Sequence, residues 1–189
     1  MSITKKFQYN SPVVLTFALI SFLSLVLGTL TNGWTTYMFF STYRSSPFNL
    51  LTYVRLFGHV LGHSNLEHYT GNMLLILLLG PVLEEKYGSK NLLTMISVTA
   101  VVTSLFHNMF FMVGLLGASG IVFMMIILAS MASAKEGKIP LTLIVAILVY
   151  IGDEIVTGLF TRDNISQLTH IVGGICGGVF GKVFLKERT

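Results

Sequence analysis

Six stretches of this chain are apolar enough and long enough to cross a bilayer, at 13–30, 66–83, 92–113, 119–134, 139–160 and 168–185. A bilayer offers no water to unpaired backbone groups, so such stretches are restricted to helices or a closed barrel, and runs of this length specify helices. The predicted fold class is therefore an all-α polytopic membrane protein. It forms one six-helix domain over 1–189, with a short polar segment at 1–11 and a cytoplasmic tail at 186–189. Composition agrees: 53% of residues are hydrophobic, 11% are charged, and the mean hydropathy is +0.77.

The first run follows Lys5 and Lys6, as a signal peptide would, but no Ala-x-Ala cleavage pattern follows it. It is read as the first transmembrane helix. The connection at 31–65 carries Trp34, several other aromatics, Arg44 and Arg55, and is predicted to rest as a long loop in the membrane interface.

Charge sets the orientation. With a cytoplasmic N-terminus, the inner side carries Lys5, Lys6, Lys86, Lys90, Lys135, Lys138, Lys182, Lys186 and Arg188, and the outer side only Arg44, Arg55 and Arg162. These cations are scattered rather than gathered in a stripe, so no nucleic-acid partner is predicted despite the net charge of +4. The single cysteine, Cys176, excludes a disulfide framework and a paired-cysteine metal site. His59, His63 and His68 lack the His-Glu-x-x-His pattern and a shared helical spacing, so no metal is predicted; His63 is read as a hydrogen-bonding support of the first loop.

Polar side chains recur at one depth. Ser119 lies 16 residues from Lys135, His170 lies 16 from Lys186, and His68 lies 16 from Glu84, which puts each roughly 24 Å from the inner edge of the core at about 1.5 Å per residue. His107 and Asp153 reach similar heights on helices of opposite direction. Ionisable groups in lipid cost several kcal/mol unless they face the bundle interior or water, so this layer predicts an aqueous depression open to the outside. For Asp153 and Glu154 two readings stand, a cavity or gate lining and a position near the outer end of a short helix; the second is preferred.

Gly117-Ala118-Ser119-Gly120 opens the fourth run, so the serine sits at a helix N-terminus whose free N–H groups suit an oxyanion. The sixth run carries His170-x-x-Gly173-x-x-x-Gly177, with a small-residue face suited to close helix packing. Such packing would allow His170 to serve Ser119 as a base. In the second run, His68 and Asn72 are four apart and share a face.

These motifs, in this order from about Tyr53 onward, resemble the rhomboid proteases, with their His-x₄-His-x₃-Asn, Gly-x-Ser-Gly and His-x-x-Gly-x-x-x-Gly patterns. The resemblance implies a six-helix rhomboid-like bundle with a Ser119–His170 dyad. Its oxyanion site would be His68, Asn72 and the backbone N–H of Ser119. Gly117, Gly120, Gly173, Gly177 and Phe123 would be in support. It also implies a serine endopeptidase without cofactor that cuts transmembrane segments of other membrane proteins. A multi-pass protein of a prokaryotic cell membrane is expected, and the orientation set by charge would open the active site to the outer side.

Two family features depart here: Val54-Arg55 stands for Trp-Arg, and Phe123 for a tyrosine, so Phe123 can stack on His170 but lacks the hydroxyl. Arg55 and the Glu84-to-Ser89 segment match family positions and are read as structural. Two further functions compete. A catalytically silent rhomboid-like protein that binds membrane clients is disfavoured by the presence of both Ser119 and His170. A small transporter is disfavoured by the lack of an inverted repeat. Substrate identity and oligomeric state have no signature in the chain.

Overall fold

The computed structural model describes residues 9–132, 141, 144, 145, 148 and 164–186. Most of the expected fifth span, including Asp153 and Glu154, lies outside them. The named elements are helices α1 (Pro12–Leu30), α2 (Trp34–Phe39), α3 (Leu50–Gly58), α4 (Leu66–Tyr87), α5 (Ser89–Phe110), α6 (Ser119–Ala132) and α7 (Asn164–Lys186), with a 3₁₀ turn at His59–Leu61. Among the described residues α1, α4 and α5 are long and apolar enough to cross a membrane. The α5 helix begins three residues before the expected 92–113 run and ends three before it, because Gly88, at φ 83°, turns the chain directly from α4 into α5.

Helix α6 is apolar on every side and is accordingly buried on nearly every side: Ile121, Met124, Met125 and Leu128 are each at most 1% exposed. It packs on α4, α5 and, most extensively, α7. The α7 contact is close because its glycines face α6. A Cβ on Gly173 would meet the carbonyl oxygen and Cα of Gly120, and one on Gly177 would meet the carbonyl oxygen of Met124. The small-residue face expected of the sixth run is therefore the surface that brings α7 against α6.

The start of α1 has no local cap. Ser11 adopts a left-handed conformation, its side chain makes no capping bond, and Pro12 has no N–H to satisfy. The buried carboxylate of Glu84, at the end of α4, takes that role. Its two oxygens accept the N–H groups of Val13 and Val14, each at 3.0 Å, and Oε1 also accepts the Ser89 hydroxyl at 2.7 Å. Glu84 thus ties α1 to the α4–α5 turn, the structural role expected of this segment.

The connection at 31–65 is more ordered than the expected interfacial loop, since it contains α2, α3 and the 3₁₀ turn. Asn49 caps α3, its side chain accepting the Leu51 N–H at 3.0 Å. This short helix is inverted relative to a soluble one: Leu50, Val54 and Phe57 face outward while Arg55 is buried. Arg55 donates from Nε to the Met38 carbonyl at 2.9 Å and lies 4.4 Å over the ring of Tyr43. Apolar residues outside and the guanidinium inside are what a lipid surrounding selects.

The same connection grips the C-terminal end of α5 and the segment after it. Thr42 pairs with Leu115 in an antiparallel bridge, and Arg44 donates to the carbonyls of Asn108 and Met109 at the end of α5. These bonds fix the 111–118 segment that delivers the chain to Ser119.

Candidate active site

Ser119 is the first residue of α6. The first N–H groups to find an acceptor behind it are those of Ile121 and Val122, both bonded to Ala118 O at 2.9 and 3.0 Å. The N–H groups of Ser119 and Gly120 are in the first turn, where a helix has no internal acceptors to offer. The turn that aims them depends on Gly117. Its φ is 124°, and a Cβ there would lie 2.7 Å from both Cε1 and Nε2 of His68. Gly117 N donates to the carbonyl of His59 at 2.9 Å, so the first connection also positions the serine turn.

His170 comes from α7, and its ring lies almost parallel to that of Phe123, with centroids 4.3 Å apart and planes 8° from parallel. Phe123 is four residues after Ser119, one turn along the same face of α6. Both the serine and the imidazole line a single cavity of about 670 Å³, together with His68, Asn72, Phe123 and Leu75. Gly120 makes the close approach of helices possible here. A Cβ on it would meet Thr103 of α5 and Thr169 of α7 at 3.2 Å.

Asn72 is buried, and its side-chain N–H donates to His68 O at 3.1 Å. The amide has a second N–H, so its position on the cavity wall leaves one donor for a guest. The main chain of His68 donates to the Asn65 side chain at 2.8 Å, and its Nδ1 meets the Ser64 hydroxyl at 3.2 Å. Ser64 and Leu116 on this wall carry no motif in the sequence; the detectable signal for Ser64 is its place four residues before His68, just ahead of the helix.

The other histidines are not gathered here. His107 does not face the cavity, contrary to its expected membership of the polar layer. Its Nε2 bonds to Val113 O at 2.7 Å and its ring stacks on Phe111, closing the end of α5. Counting residues gives depth but not direction around the helix, which explains the difference. His59 is fully buried against Arg55 O and Thr103, and burial lowers its pKa to about 4. His63 is buried too and has its pKa lowered to about 4, first by desolvation and then by the neighbouring His68. Its Nδ1 lies 3.3 Å from Leu61 O, and its ring meets those of His68 and Tyr69 edge-on, so it supports the loop as expected.

The rhomboid domain, as a family, matches residues 51–187. The chain belongs to the rhomboid family. No curated protein matches the chain as a relative. Family membership and the long apolar helices together make this rhomboid an integral membrane protein.

Proposed function

We propose that this rhomboid is an intramembrane serine endopeptidase that hydrolyses peptide bonds in or near transmembrane segments of other membrane proteins. The observation that carries the reading is the shared cavity of Ser119 and His170, with His170 laid flat on Phe123 one turn from the serine. Six membrane spans with a cytoplasmic N-terminus, and a cavity opening to the outer side, fit the distribution of basic residues.

In this mechanism His170 accepts the proton of Ser119 as Oγ attacks the scissile carbonyl carbon. The carbonyl oxygen becomes an oxyanion, held by the Ser119 N–H, the Asn72 amide and the His68 ring. Collapse breaks the C–N bond, His170 passes its proton to the leaving amine, and an acyl ester remains on Ser119. Water from the cavity then attacks the ester, His170 again acting as base and returning the proton to Ser119 Oγ. Each step uses groups on the cavity wall and requires no cofactor.

The test is labelling by a fluorophosphonate in detergent, with the adduct located by mass spectrometry. Wild type should label at Ser119, and Ser119→Ala and His170→Ala should not. A folded wild type that never labels would replace this reading with that of a silent client-binding protein.

A further inference from the structure

The ring of His68, on the cavity wall, has neighbours on several sides. Its Nδ1 edge meets the hydroxyl of Ser64 at 3.2 Å. The adjoining Cε1–Nε2 edge faces Gly117, where a Cβ would come within 2.7 Å of both atoms. The ring of His63 stands nearly perpendicular to it, centroids 5.0 Å apart. Sliding and tilting are therefore limited on three sides, and Nε2 is held on the side of the turn that leads into Ser119.

A fixed ring leaves one choice open, namely which nitrogen carries the proton. A neutral imidazole has one donor and one acceptor. If the proton were on Nδ1, Nε2 would present a lone pair to the developing oxyanion and repel it. With the proton on Nε2, Nδ1 must accept, and the partner at Nδ1 must be able to donate. A serine hydroxyl can donate as well as accept and so permits the Nε2 proton, whereas a backbone carbonyl or a carboxylate in the same place would draw the proton to Nδ1.

We propose that Ser64 is a positioning residue that donates its hydroxyl proton to His68 Nδ1 and so keeps the Nε2 proton directed at the oxyanion. This rests on the reading of His68 as an oxyanion donor. Ser64 itself touches no reacting atom. It is also dispensable as a helix cap, because Asn65 occupies that role and accepts the His68 N–H at 2.8 Å. The residue lies on the wall common to the catalytic cavity and a second cavity of about 360 Å³ lined by Thr29, Thr36, Ser41 and His63. Replacing it changes a hydrogen bond without removing a core side chain.

The experiment compares Ser64→Thr and Ser64→Val, which match in shape and differ by a hydroxyl against a methyl. Fluorophosphonate labelling of Ser119 is followed at several probe concentrations, so that the saturating rate separates from half-saturation. Ser64→Val should lower the saturating rate roughly tenfold, the scale of one hydrogen bond, with half-saturation unchanged, and Ser64→Thr should restore it. In protein carrying ¹⁵N-histidine, the His68 signals should report a single Nε2-protonated tautomer in wild type and a mixture in Ser64→Val. Equal rates for the two variants, or a wild-type proton on Nδ1, would overturn the proposal. A wild type that shows the Nε2 tautomer but never labels would instead sink the protease reading and leave the Ser64–His68 contact standing.

Discussion

The imidazole of His170 lies parallel to the phenyl ring of Phe123, their centroids 4.3 Å apart, so a residue of α6 sets the plane of a residue of α7. Aromatic stacking of this kind contributes about 0.5–1.5 kcal/mol beyond burial. Phe123→Leu should therefore lower the labelling rate of Ser119 by roughly three- to tenfold, while Phe123→Tyr should keep it. An unchanged rate in Phe123→Leu would mean that other contacts orient the imidazole.

The glycines of α7 give a matched pair of substitutions on one helix. At Gly173 a Cβ would strike the Gly120 backbone, whereas at Gly178 nothing lies within 4 Å. Gly173→Val should force α7 away from α6, cost about 1–3 kcal/mol and abolish labelling. Gly178→Ala should be neutral or raise stability by up to about 1 kcal/mol, since alanine is the better helix former. Melting in detergent, read alongside labelling, checks both.

Glu84→Ala removes the acceptor of three hydrogen bonds, two of them at the start of α1. Charge-assisted bonds contribute roughly 1.5–3 kcal/mol each in favourable cases, so a loss of about 3 kcal/mol or more is expected in thermal melting. Glu84 is far from the cavity wall, and the molecules still folded should label Ser119 at the wild-type rate.

Acid should weaken the first connection. His59 and His63 have pKa values lowered from 6.5 to about 4 by burial, so the unfolded chain binds protons that the native state refuses. Stability due to these residues is complete above pH about 6.5 and is lost as pH falls toward 4, the direction in which the unfolded state takes up more protons. Melting temperatures should fall over that interval, and His59→Gln or His63→Gln should flatten the slope. A slope unchanged in both variants would assign the acid sensitivity to other groups.

Much of the site was legible because its residues occur in ordered motifs. Ser119, His68 and His170, singled out by their depth, line one cavity with Asn72, singled out by the helix face it shares with His68. His107, equally deep by count, turns toward Val113 instead, because depth along a helix says nothing about azimuth. The helix α3 was missed for a different reason. Its apolar residues face outward and Arg55 faces inward, and an interface rich in aromatics masks such a pattern; the capping Asn49 was the signal that could have revealed it. Ser64 escaped notice because a serine beside a helix start is ordinarily a capping residue, and here Asn65 caps in its place.

Glu84 reaches back 71 and 70 positions along the chain to close the first turn of α1. During synthesis the ribosome releases α1 well before it releases the carboxylate that completes it. The amino-terminal turn therefore gains these acceptors only once α4 has been made, and its closure couples the first helix to a segment synthesised much later.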